Sequence, residues 1–220
     1  NGKFDDPVEI LNEKGEKIKV SEKDPPYSAK GIKALDGSPA KVIWFDDKEN
    51  NRIAPSPKEF ANPDWYNRRG HVSIWGTPEE NLQTEDLSNP GTIAVVEQEL
   101  YGDFPSGLKD LNTELPEVRK ALIDVYKYWI KEIGIDGFRV DTVKHVEPEF
   151  WGRFCYEIRK YAKSIGKEKF FLIGEIFDGR LWKMARYTKP VIAEVDTGAD
   201  KLVSMRVDQF DSVLAFNIKY

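Results

Sequence analysis

Cysteine is almost absent. Cys155 is the single cysteine in 220 residues. One thiol cannot close an internal disulfide, so a disulfide-stapled scaffold is excluded. Cys155 falls on a helical pattern, which predicts a buried structural thiol. Long apolar runs are also missing. None approaches about 18 residues, so no membrane-spanning helix is predicted. Positive charge is not in excess: 33 Lys and Arg stand against 38 Asp and Glu, a net charge of -5, and nothing points to nucleic acid as a partner. There is no glycine-rich phosphate loop, which argues against an open doubly wound nucleotide-binding sheet. Internal repeats and low-complexity tracts are absent. What remains is a moderately hydrophobic chain rich in Lys and Glu. That composition excludes disorder and collagen, and the length allows one or two domains.

Two textures divide the chain. Residues 1–112 read as β-rich and irregular. Val8–Leu11 and Lys17–Val20 flank a glycine-containing turn and predict a hairpin. Lys41–Phe45 and His71–Trp75 are further strand candidates, Thr92–Val96 is ambiguous, and Asn50–Pro63 reads as loop. Trp44, Phe60, Trp65, Tyr66, Trp75 and Tyr101 crowd this half. They could stack on sugar rings or pack a small core. Residues 113–220 alternate helix and strand. Pro116 suits a first turn, with Val118, Leu122, Val125, Trp129 and Ile133 at helical spacing and Gly134 as the stop. Pro148 opens a second helix carrying Phe150, Phe154, Ile158, Tyr161 and Ile165 to a stop at Gly166. Phe170–Gly174 is an unbroken apolar run, as a parallel strand covered on both faces requires. A short helix is expected near Asp200–Val203, and a strand at Ser212–Phe216. This order is the repeat of a parallel barrel, and Phe138–Asp141, Phe170–Gly174 and Ser212–Phe216 are expected to lie parallel in that spatial order.

The most informative stretch runs from Gly134 to His145. Strand side chains alternate, so Arg139 and Asp141 share one face and Phe138 and Val140 the other. An Arg and an Asp on a buried strand face are costly unless paired or functional. At the C-terminal end of a parallel strand they read as an active site.

Gly137-Phe138-Arg139-x-Asp141-x-x-Lys144-His145 resembles a signature region of the α-amylase family of glycoside hydrolases. Phe171-Leu172-Ile173-Gly174-Glu175 is similar to the next region of that family, and Gly107–Asn112 more weakly to a short motif preceding both. The resemblance implies an α/β fold, a partial TIM (β/α)8 barrel, with a β-rich inserted domain. Residues 1–112 would be the inserted domain, one wall of a substrate cleft, and 113–220 barrel strands four to six. Two other family regions, D-x-x-x-N-H and N-H-D, are absent, so the chain is expected to be an internal segment whose partner is the remainder of the same enzyme.

The resemblance also implies chemistry. Asp141 would be the nucleophile and Glu175 the acid/base of a retaining glycoside hydrolase acting on α-glucans such as starch and maltooligosaccharides. Such a pair sits about 5–5.5 Å apart. The strand alone could not assign the two roles. Arg139 would keep Asp141 ionised, and Lys144 and His145 would contact sugar hydroxyls. Glu175, after an apolar strand, is expected to be the more desolvated carboxyl. A structural calcium is implied, with Asp103 and the backbone of His145 among its ligands; a plain turn aspartate before Pro105 is the alternative for Asp103. The rivals are a transglycosylase or isomerase on the same scaffold and a non-catalytic carbohydrate-binding relative. The compartment stays open, with an extracellular or periplasmic location slightly favoured.

Overall fold

The computed structural model describes residues 2–4, 8–11, 16–20, 33–34, 36, 42–44, 55–72, 88, 90–104, 108–198, 201–214 and 216. The chain forms two compact units, Asn1–Asn112 and Thr113–Tyr220.

In the first unit, β1 (Gly2–Phe4) pairs antiparallel with β5 (Val42–Trp44), inside the expected 41–45 strand. The predicted hairpin forms between β2 (Val8–Leu11) and β3 (Lys17–Val20), and β4 (Lys33–Ala34) adds to the other edge of β2. The 50–63 stretch carries short 3-10 turns at Lys58–Ala61 and Pro63–Trp65; residues 50–54 lie outside the described residues. The ambiguous 92–96 segment is helical, within α1 (Pro90–Tyr101). Of the expected 71–75 strand, His71 makes an isolated bridge to Asp103, and 73–75 lie outside the described residues. Among the described side chains, Phe60, Trp65 and Tyr66 pack together, while those of Trp44 and Trp75 lie outside the described ones. Phe60 and Tyr66 are buried, Trp65 meets Phe60 edge-to-face at 5.4 Å, and the Tyr66 hydroxyl donates to the Phe60 carbonyl at 2.6 Å.

The second unit is built on three parallel strands in the order β10 (Ser212–Val213), β7 (Phe171–Gly174), β6 (Gly137–Val140). This is the parallel order expected from the helix–strand alternation; β10 is shorter than the anticipated 212–216, with Phe216 in a turn. Helices α2 (Pro116–Ile133) and α3 (Pro148–Ser164) cover one face of the sheet. Their buried residues meet Val140, Leu172 and Phe210 in one core. Rings dominate it: Tyr126 meets Phe138 and Phe154 edge-to-face, each at 5.1 Å. α2 ends at Gly134, whose φ of 75° is cheap for a residue without Cβ. Cys155 is fully buried, as predicted.

Three expectations are corrected. The buried stripe of α2 runs through Val118, Ile123 and Ile130 with Leu122 and Tyr126 beside it, while Trp129 and Ile133 are 45% and 62% exposed. At about 100° per residue Trp129 and Ile133 fall within that arc, between Val118 and Tyr126, so their exposure reflects the lack of a covering neighbour among the described residues rather than their angular position. Ile165, likewise, is exposed at the end of α3. The third correction is at 200–203. Leu202–Val207 is a strand, β9, paired antiparallel with β8 (Val191–Asp196); Asp200 lies outside the described residues. The two-residue alternation of Ala193, Val195 and Val207 onto a buried face explains the strand. After the short helix α4 (Leu181–Arg186), the hairpin packs on α3 at Gly152. A Cβ on Gly152 would stand 2.5 Å from Val191 Cγ1 and 3.0 Å from Val207 Cγ2, so glycine permits the approach.

Candidate active site

β6 and β7 are in register from Gly137↔Phe171 to Val140↔Gly174. The ladder continues one step: Glu175 N–H donates to Val140 O at 2.7 Å, and Val143 N–H to Glu175 O at 3.0 Å. Asp141 and Glu175 therefore stand side by side at the C-terminal ends of adjacent strands. Phe138 and Val140 point into the core and Arg139 and Asp141 to the opposite face, as alternation requires. That face is open among the described residues. The Arg139 and Asp141 side chains are 48% and 64% exposed, which corrects their expected burial, and Glu175 is 20% exposed. Three parallel strands do not close into a barrel, so nothing described covers them. Directly after Asp141 the chain turns through Thr142, which holds a left-handed φ of 52°. A β-branched residue pays a steric penalty there, and such strain gathers at functional turns.

The site's electrostatics follow from three side chains. Arg139 Nη1 lies 3.1 Å from Asp141 Oδ2, and Nη2 bonds Glu175 Oε2. The Glu175 carboxyl also hydrogen-bonds Asp141. This bond holds the Asp141 carboxyl below its usual range, with Arg139 adding to the effect against some desolvation. It holds Glu175 above its usual range, joined by desolvation and by the Asp141 charge. The directions are those anticipated, and Glu175 is the less exposed of the two, but the leading cause is their mutual hydrogen bond rather than Arg139 or burial.

Lys144 and His145 follow on a short 3-10 turn, Val143–His145. Trp151 Nε1 donates to Val143 O at 2.8 Å and anchors that turn to α3. His145 is buried, and its N–H donates to Thr142 O at 3.0 Å. Lys144 Nζ donates to Phe177 O at 2.9 Å and lies 3.9 Å from Asp178 Oδ2, while the Tyr187 hydroxyl donates to Lys144 O at 3.3 Å. Asp178 is in turn gripped by Arg180 through its backbone N–H at 2.9 Å, Nε at 2.8 Å and Nη2 at 2.6 Å. Asp178 and Arg180 were not singled out by sequence motif. The only local signal is the Asp-Gly-Arg turn after Glu175.

Asp103 belongs to the first unit. Its side chain is fully buried; Oδ2 accepts from Lys109 Nζ at 3.0 Å and Oδ1 from Asp110 N–H at 2.8 Å. Burial pushes its carboxyl up, opposed chiefly by Lys109 and then by the Asp110 N–H. Both oxygens face donors, whereas calcium needs six to eight oxygens facing it. Among the described residues no group of three His, Cys, Asp or Glu could hold a metal. These surroundings do not fit a calcium ion on Asp103.

Parallel strands joined by helices, with ionisable groups gathered at the strands' C-terminal ends, define the second unit as part of a (β/α)-barrel type of domain. The chain belongs to the α-amylase family: the pattern described as "Alpha amylase, catalytic domain" matches residues 38–198. It is 46% identical over 179 residues to an α-amylase of Streptomyces lividans, covering 76% of this chain and 18% of that protein. It is 32% identical over 117 residues to a cyclomaltodextrin glucanotransferase of Klebsiella oxytoca, covering 53% and 15%. A cyclomaltodextrinase of Geobacillus thermopakistaniensis is 31% identical over 153 residues, covering 70% and 18%. The chain thus spans less than a fifth of the length of each of these curated relatives. No helix among the described residues is long and apolar enough to cross a membrane.

Proposed function

We propose that this chain carries part of the active site of a retaining glycoside hydrolase acting on α-glucans. The observation that supports this is the opposite poise of two adjacent carboxyls, Asp141 below and Glu175 above the ordinary range, bridged by one guanidinium. A retaining reaction needs that asymmetry. Asp141, ionised, attacks the anomeric carbon. The glycosidic C–O bond breaks as Glu175 gives its proton to the departing oxygen. The ionised Glu175 then removes a proton from water, the water oxygen attacks the anomeric carbon, and the bond to Asp141 breaks to restore both groups. Arg139 keeps the nucleophile charged and orients both carboxyls. Entry of the sugar parts the two carboxyls and breaks their hydrogen bond. Lys144, held by the 177–178 backbone and carboxylate, is assigned with His145 to sugar hydroxyls.

The names of the relatives favour a second reading of the deglycosylation step. A glucanotransferase delivers the same intermediate to a sugar hydroxyl instead of water, and the dyad serves both outcomes. The experiment uses the intact enzyme that contains this chain, with an α-glucosyl fluoride as substrate. Asp141→Asn is expected to abolish the glycosyl-enzyme seen by mass spectrometry. Glu175→Gln is expected to form it, since fluoride leaves without a proton, and azide to restore turnover. Intermediate formation by the Asp141 variant but not the Glu175 variant would reverse the assignment.

A further inference from the structure

The buried ion pair between Lys109 and Asp103 does work that goes beyond a single contact. Their side chains are 1% and 0% exposed. Asp103 also joins three chain segments, through its backbone and its carboxylate. Its N–H donates to Gly70 O at 2.8 Å, and its carbonyl accepts from Val72 N–H at 2.9 Å. Its carboxylate accepts from Asp110 N–H on the third segment. The same segments are laced together again: Asn67 N–H donates to Asp110 O at 3.1 Å, Asn67 Nδ2 to Asp110 Oδ2 at 2.5 Å, and Asn112 N–H to Trp65 O at 2.7 Å. A buried carboxylate at such a junction needs a counter-charge. The resemblance to the family supplies one, a calcium ion. The chain supplies another, six residues away in sequence and already seated on Oδ2.

We infer that the Lys109 ammonium is the resident cation of this junction, taking the place of a metal at Asp103 and tying residues 67–72, 103–104 and 108–112 together without one. A calcium ion on Asp103 would have to evict Lys109 into a buried surrounding or into solvent. The ammonium has one charge where calcium has two, which suits a carboxylate that faces N–H donors rather than further oxygens.

The test uses the intact enzyme and separates this site from any calcium bound elsewhere. Melting temperature is measured in EDTA and in millimolar calcium for the unmodified protein and for Asp103→Asn. The shift caused by EDTA is expected to be the same in both. A larger EDTA shift in the unmodified protein would make Asp103 a metal ligand and overturn the inference. Lys109→Ala is expected to lower the melting temperature by about 5 °C or more even without calcium, because one partner of a buried pair is left alone. A melting temperature equal to that of the unmodified protein would also overturn it. If the variants do not fold, reductive methylation of the unmodified protein decides. Lys109 is expected to stay unlabelled with EDTA and with calcium, and labelling that appears on adding calcium would show the ion displacing it.

Discussion

One guanidinium bridges two carboxyls: Arg139 Nη1 lies 3.1 Å from Asp141 Oδ2, and Nη2 bonds Glu175 Oε2. The backbone makes this meeting unavoidable. Glu175 N–H bonds to Val140 O, so the residue after each paired strand end lies next to the other. Interaction between the two carboxyls lowers the pKa of Asp141 and raises that of Glu175. Those are the directions that the proposed acid-assisted nucleophilic attack requires.

The first prediction concerns pH. The proposed mechanism requires Asp141 ionised and Glu175 protonated, so the rate should fall below the lowered pKa of one and above the raised pKa of the other. Arg139 lowers both carboxyls. In Arg139→Met both limbs of the kcat/KM profile of the intact enzyme should therefore move to higher pH, with a loss of about 100-fold at the optimum. Limbs that stay in place would show that Arg139 does not set the ionisation of the pair.

The second concerns Lys144. Asp178 and the Phe177 carbonyl hold its ammonium, and Arg180 holds Asp178. Asp178→Asn removes the negative charge that faces both cations. KM for longer α-glucans should rise about fivefold, the worth of about one hydrogen bond, with kcat on a short activated glucoside unchanged. An equal fall in kcat for both substrates would place Asp178 in the chemistry itself.

The third concerns Cys155. Burial pushes its thiol up to about 12. About 1 in 10⁴ thiols is then ionised at pH 8, and the side chain is enclosed besides. Iodoacetamide should leave Cys155 unlabelled in the folded protein at pH 8 and label it fully in urea. Mass spectrometry of the tryptic peptide gives the answer.

The fourth concerns Gly152. In Gly152→Ala the new methyl would strike Val191 and Val207. Overpacking of this kind costs about 1–3 kcal/mol. Hydrogen exchange should quicken in β8 and β9 while β6 and β7 stay protected. Uniform quickening across the sheet would instead mean that the hairpin and the parallel strands form one cooperative unit.

Much of the second unit was legible because its signals are local. Pro116 and Pro148 open helices, Gly134 closes one, and the apolar run before Glu175 is a strand. The pair Asp141 and Glu175 was legible because strand periodicity and motif order agree. The β8–β9 hairpin was not, since the two-residue alternation of Ala193 and Val195 is short and its partner strand lies across a turn. The stripe of α2 was misread because Trp129 and Ile133 share its angular range yet meet no covering neighbour among the described residues. Hydrophobicity says that a residue prefers cover, not that a neighbour is there to provide it.

The sequence by itself determined which residues carry charge at the strand ends, where helices start and stop, and that Cys155 has no partner. These depend on residue identity and on spacing within one element. Only the tertiary structure decided the register that sets Glu175 beside Asp141, the grip of Asp178 on Lys144, and the burial of Lys109 against Asp103. Each of these depends on backbone hydrogen bonds or on packing between segments that are apart in sequence. Such contacts shift a carboxyl's pKa or retain an ammonium in the interior through distance and dielectric, and neither quantity is written in the order of residues.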